Sequence, residues 1–379
     1  MARPAPQYRE NPQRAVYVLG RIDEQNVYRV LPEITRLRGE SFEPITVYIH
    51  SPGGSTWYAE EINADLKAPT QDGKTCRVIT VVTNYAGSAA ADLLALGDYA
   101  IAYPAAIIHC HGTRQASEDL TSEKAALIAD SLQRSNDAFA LRLARKTFRR
   151  IVFHFANLRQ EFPKIRADLK DDLKRDMSDI ECFAFALYDR LANNAGAQNL
   201  PRQAYFLQQR LEELSHYVFD QLGETPEKEP LRETEAKILK HILDYELQRP
   251  DADKWNLSDG GIHDVVTDFT QFTDYMFGPH RNDLDAHISE LGSLLLDDSG
   301  LRQYSEMEKD KPTDAAVWLK KQVKPIVEPL WYFVVALCRL LQQGEYQLAA
   351  ADSYWLGIVD EVVGMDLPSL RLFAENPDA

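Results

Sequence analysis

Up to Gly112 the chain alternates short β-branched runs with amphipathic stretches, and that alternation leaves few folds open. Ala15–Leu19, closed by Gly20, reads as a buried strand. Val27, Val30, Leu31 and Ile34 then share one helical face, with Pro32 inside the helix as a source of kinking. Ile45–Ile49 is a second strand and runs into Ser51-Pro52-Gly53-Gly54-Ser55. A helix follows with Ala59, Ile62 and Leu66 inward. Val78–Val82 is a third strand, Ala89–Leu96 a helix stopped by Gly97, and Ala100–Tyr103 and Ala106–His111 are two more strand-like segments. Strands exchanged with helices at this spacing predict an α/β fold: a parallel sheet with crossover helices.

The pattern breaks at Gly112. From Thr113 to Gly344 strand signals are few and long charged amphipathic stretches dominate, the first marked by Ile128, Leu132, Phe139 and Leu143, with Thr121 and Ser122 as capping candidates. Arg159–Arg175 and Glu224–Lys240 mix acidic and basic residues as solvated helix faces do, and turns are expected at Gly223–Pro226 and Arg249–Asp251. Glu345–Val363 regains the compact look of the start, with Gly357–Asp360 as a strand entry. The expected organisation is an α/β core in two parts, 1–112 and 345–379, separated by a mainly helical all-α insertion, 113–344, whose first helix spans 122–150. Trp331, Tyr332 and Phe333 are expected to be core.

Composition narrows the function classes. With 42 Lys+Arg against 58 Asp+Glu the net charge is −16, which argues against a broad nucleic-acid footprint. Cys76, Cys110, Cys182 and Cys338 form no CxxC pair, so a disulfide framework or cysteine zinc site is not expected and a reducing cytoplasm is. The polar, Pro-rich start has no signal-peptide core, and the longest apolar run, Ile326–Leu341, is broken by Glu328, Pro329 and Arg339. No membrane association is expected.

The residues that carry chemistry cluster at strand ends. Ser88 sits at a strand-to-helix turn among small residues, where its hydroxyl is exposed and the helix N-terminus offers amide donors. The bland alternative is that Ser88 only caps its helix. The Gly53-Gly54 turn, also between strand and helix, lets backbone approach a ligand closely. His109 and His111 point the same way from a strand; without an acidic or cysteine partner at useful spacing they predict no metal site. Packing in the core is the bland reading of His109.

Four segments, in order, resemble the proteolytic subunit of the Clp protease and its phage head-maturation relatives, serine peptidases on a ClpP/crotonase-like spiral α/β fold. Arg14–Asp23 resembles the family's opening strand and turn. Ile45–Ser55 (ITVYIHSPGGS) is similar to its oxyanion loop, and Ala86–Asp98 (AGSAAADLLALGD) to its nucleophile turn. The resemblance implies Ser88 as nucleophile, His111 as general base with His109 the alternative, and an oxyanion hole from the Gly54 and Ala89 amides. Glu345–Asp360 (EYQLAAADSYWLGIVD) resembles the closing motif, implying Glu345 as the acid that orients the imidazole. Departures are His50 where asparagine is usual, Gly87 where alanine is usual, Ala89 where methionine is frequent, Glu in place of Asp, and the missing glycine-rich substrate strand after His111. Implied are a protein or peptide substrate, a homo-oligomer, a separate ATPase unfoldase as a further partner, and no cofactor. Three other readings share the fold: a catalytically silent scaffold or regulator acting through the insertion, a crotonase-type enzyme acting on acyl-coenzyme A, and a Ser-Lys peptidase of the signal-peptide-peptidase kind, against which stands the lack of any lysine between Ser88 and His111.

Overall fold

The computed structural model describes residues 8–70, 73–115, 121–173, 178–193 and 292–369. The turns expected at 223–226 and 249–251 and the charged stretch 224–240 lie outside them. The described residues fall into two compact units: those between 8 and 151, 190–193 and 338–369 form one, and those between 152 and 189 and 292–337 the other.

The first unit is built on a sheet of β1 (Ala15–Leu19), β2 (Ile45–Ser51), β3 (Val78–Gly87), β4 (Tyr99–Ala102), β5 (Ile107–His111), β6 (Glu345–Ala349) and β7 (Glu361–Val362). The path β1-β2-β3-β4-β7 is parallel throughout. The strand β3 is long enough to serve two partners. Its first half pairs with β4 (Ile79↔Tyr99), and its last residues pair with β5 (Tyr85↔Ile107, Gly87↔His109). The sheet therefore forks at β3, and β6 joins the β5 branch antiparallel.

Helices α1 (Glu24–Glu40), α2 (Thr56–Lys67) and α3 (Ala89–Ala95) connect the parallel strands. Asp23 caps α1 through the Asn26 amide at 3.0 Å, and Val27, Val30, Ile34 and Leu37 bury one face at helical spacing. Pro32 lies inside α1, which runs unbroken to Glu40. Buried Val78, Ile79, Val81 and Val82 make β3 continuous core, as a parallel strand covered on both faces must be.

One buried charge cluster fastens the closing segment to this sheet. Asp360 accepts from Arg149 at 2.7 Å, from Arg150 Nε at 2.8 Å and from the Ala100 amide at 2.7 Å. Arg150 spends its remaining donors on the carbonyls of Ala95, Gly97, Gly357 and Ile358. The pair is buried and every prong of the guanidinium is used, the condition under which a buried ion pair holds. Gly357, at φ 72°, makes a turn here and the strand itself starts at Glu361, later than the sequence pattern suggests. Its missing Cβ is required twice over, since Thr147 Cγ2 would lie 2.8 Å away.

Helix α4 (Ser122–Leu158) starts where expected, with Thr121 Oγ1 accepting from the Lys124 amide at 3.2 Å, but continues past residue 150. The second unit holds α5 (Phe162–Leu173), most of α6 (Asp179–Asn193), α7 (Asp298–Asp310) and most of α8 (Pro312–Gln343). Its core is aromatic: Phe155 meets Phe162 and Phe183 at 5.3 Å, and Phe183 meets Phe333 at 5.8 Å edge-on. Trp331 and Phe333 are buried, in keeping with a core role.

Candidate active site

The site lies wholly in the first unit, where β3 ends. Ser88 follows Gly87 at φ 52° and ψ −130°, and it is the one non-glycine residue with positive φ among the described residues. A side chain in that region is strained, and such strain survives only where the surroundings hold it. Here the Ser88 amide donates to the His109 carbonyl at 2.8 Å, and its carbonyl accepts from Ala91 at 2.8 Å. The hydroxyl makes no capping bond to α3 although Ser88 occupies the cap position. Capping, the bland explanation for this serine, is thereby removed.

The glycine loop packs directly on this turn. A register shift after Ile49 carries the end of β2 across β3, so that Ser51 pairs with Ala86. Ser51 Oγ then accepts from the Gly53 amide at 3.0 Å. At Gly53 (φ 90°) an added Cβ would stand 2.3 Å from the Gly87 carbonyl and 2.7 Å from Ser88 Cβ. At Gly54 it would stand 2.2 Å from the Ile22 carbonyl. Gly54 bridges Ile22 in parallel fashion: Ile22 donates to the Gly53 carbonyl and accepts from the Ser55 amide, each at 2.9 Å. That pattern turns the Gly54 N–H away from Ile22. The Ala89 amide opens α3, where first-turn N–H groups have no intrahelical acceptor.

Gly53, Gly54, Ser88 and His111 line one cleft of about 520 Å³, with Arg21, Thr113 and Arg114 at its walls. His111 sits at the end of β5, half-buried, its Nδ1 2.7 Å from the Gly112 carbonyl. A carbonyl only accepts, so Nδ1 carries the proton and Nε2 keeps its lone pair, the tautomer a general base needs. Burial pulls the His111 pKa below the ordinary imidazole value; the Gly112 bond opposes this and the Arg114 charge adds to it.

Glu345 arrives on β6 directly opposite His111 in the backbone register. Its carboxylate, however, leans along the strand instead of across it. Oε2 lies 3.1 Å from His109 Nε2, and Oε1 is ion-paired with Arg114. The expected contact of Glu345 with His111 is replaced in this conformation because His109 and Arg114 take both of its oxygens and Gly112 takes the His111 proton. His109 is half-buried, not core. Its Nδ1 is 3.1 Å from the Tyr85 hydroxyl, and its ring centre is 5.2 Å from that of His111. Burial, then His111 and Arg114, lower its pKa as well.

The sequence pattern passes over three participants: Tyr85, Arg114 and Gly112. Gly87 is the one available clue to Tyr85, because a Cβ at Gly87 would lie 2.8 Å from Tyr85 Cε1 and 3.0 Å from its hydroxyl. Glycine in place of alanine makes room for that ring. Among the described residues no group of three or more His, Cys, Asp or Glu is arranged to hold a metal, and no helix is long and apolar enough to cross a membrane.

These features define an α/β protein whose sheet ends in a strained serine turn, packed on a glycine loop and sharing a cleft with a histidine. The model of the Clp protease family matches residues 8–190, and over that segment the chain is similar to this family of peptidases. The match includes the SPGG loop, Ser88 and His111 and runs beyond Gly112; Glu345 lies downstream of it. No curated protein matches the chain.

Proposed function

We propose that the protein is a serine peptidase in which Ser88 is the nucleophile and His111 the general base. The observation that carries this is the Ser88 backbone: a strained φ at a position whose hydroxyl is not used as a cap, opening on the same cleft as His111. Ser88 Oγ attacks a peptide carbonyl carbon and His111 Nε2 takes its proton, which then passes to the leaving amine as the C–N bond breaks. Water activated by the same imidazole hydrolyses the acyl-enzyme. The Gly54 and Ala89 amides are proposed as the oxyanion donors, each worth roughly 3 kcal/mol in such sites. Glu345 is proposed as the acid that steadies the imidazolium.

Similarity to the Clp protease family over residues 8–190 supports protein or peptide substrates and self-assembly as part of the same proposal, with an ATPase unfoldase as a separate partner. The cysteines Cys76, Cys110, Cys182 and Cys338 are all free and buried, which supports a reducing, cytoplasmic setting. A fluorophosphonate probe tests the reading: one adduct on Ser88 in the folded chain, lost in Ser88→Ala together with peptide cleavage, is the expected result. A folded protein that never labels at Ser88 defeats it. The engagement of Glu345 by His109 and Arg114 favours, as a second reading, a silent scaffold. That reading predicts no adduct.

A further inference from the structure

We infer that His109 and Arg114 are positioning residues that hold the Glu345 carboxylate off His111, so that peptidase activity is restrained until that carboxylate is released. The inference rests on the peptidase reading of Ser88 and His111 and concerns how its acid is supplied.

The argument begins with donors and acceptors. A carboxylate accepts only, so His109 Nε2 must carry a proton to reach Glu345 Oε2 at 3.1 Å. The Tyr85 hydroxyl, 3.1 Å from Nδ1, then donates to the other ring nitrogen. Neutral His109 thus satisfies both nitrogens, and burial, which lowers its pKa, favours that form. Tyr85, His109 and Glu345 form one continuous chain that ends on Arg114. Gly87 is what admits the Tyr85 ring to that chain, since a Cβ there would stand 2.8 Å from Tyr85 Cε1. Meanwhile His111 parks its proton on the Gly112 carbonyl at 2.7 Å.

Distance along the backbone does not explain the choice. Glu345 is the register partner of His111, whereas His109 faces Gln347. The glutamate therefore reaches diagonally past its nearer histidine, which its extra methylene relative to aspartate allows. Among the described residues, the charged or titratable groups that face the two imidazoles are Tyr85 from β3, Glu345 from β6, Arg114 from the segment after β5, Arg21 across the cleft shared with His111, and each other. Glu345 is the single anion among them. Whichever imidazole holds it has its protonated form favoured.

The test uses the full chain and a quenched-fluorescent peptide, with kcat and the acid limb of the pH–rate profile as readouts. His109→Leu removes the donor and the acceptor at once. The expected result is a rise in kcat of about tenfold at neutral pH, the change that weakening one charge-assisted hydrogen bond produces. The acid limb should move up by about one pH unit, because Glu345 now stabilises the His111 imidazolium. His109→Gln, whose amide still donates to a carboxylate, should return both values to those of the native chain. Glu345→Gln should cost far more in the His109→Leu background than in the native one. Arg114→Leu, which leaves no donor for the carboxylate at an exposed position, should raise kcat in the same direction if His109→Leu fails to fold.

An unchanged or lower kcat with an unmoved acid limb in folded His109→Leu and Arg114→Leu, or an equal cost of Glu345→Gln in both backgrounds, overturns the inference. Fluorophosphonate labelling separates the two levels. If Ser88 labels and the variants behave this way, only the restraint is refuted. If Ser88 labels in no variant, the peptidase reading falls and the restraint falls with it.

Discussion

Replacing Ser88 by alanine and by glycine separates a nucleophile turn from an ordinary helix cap. At an ordinary cap the hydroxyl accepts from a first-turn amide; alanine then costs about 1 kcal/mol and glycine only a few tenths. Here the hydroxyl caps nothing, so alanine removes no capping bond and should be close to neutral. Glycine relieves the positive φ of 52°, a strain of about 1–3 kcal/mol, and gives back about 0.4–1 kcal/mol through the freer unfolded chain. The net expectation is that Ser88→Gly is more stable than the native chain by about 0.5–2 kcal/mol, with Ser88→Ala indistinguishable from native. At about 2–4 °C per kcal/mol for a unit of this size, the glycine variant should melt several degrees higher at most. Matched denaturant titrations of the three chains check the order, and both variants should lose the phosphonate adduct. If Ser88→Ala is destabilised by about 1 kcal/mol and Ser88→Gly is no more stable than native, the serine is a cap and the strain argument is wrong.

Gly54→Ala should place its Cβ against the Ile22 carbonyl, destabilise by about 1–3 kcal/mol and lower kcat by about 10²–10³, read by melting and by single-turnover cleavage. Asp360→Asn leaves Arg149 and Arg150 buried without their anion; a loss of about 3–5 kcal/mol is expected in denaturant titration at neutral pH. Burial pushes the Asp92 carboxyl up to about 8, with Gln342 opposing the shift. Its folded-state pKa exceeds its unfolded one, so its contribution is fully present below about 4 and is lost as pH rises through about 8. The denaturation midpoint of Asp92→Asn should accordingly fall less between pH 5 and pH 8 than that of the native chain, and equal slopes would contradict the assignment.

Periodicity and turn chemistry made the core strands legible in sequence, because a strand covered on both faces reads as an unbroken apolar run. Val78–Val82 was such a run, but β3 continues through Asn84 and Tyr85 to Gly87. Polar residues enter there because the fork leaves β3 with β5 as its partner, in a region only half-covered. The split of Asp360 between two arginines was likewise hidden, since Arg149 and Arg150 lie on a helix that reads as amphipathic and charged.

Residue order alone determined which groups are available to the site: a serine flanked by small residues, two glycines that tolerate no Cβ, a pair of histidines one residue apart, and a glutamate at the start of the returning segment. Those are local requirements of backbone conformation and side-chain chemistry, and local sequence records them. Which histidine holds the glutamate was settled only by the fold. Three strands and a loop bring Tyr85, His109, Arg114 and Glu345 into one hydrogen-bonded chain, and competition among donors for two carboxylate oxygens has no one-dimensional signature.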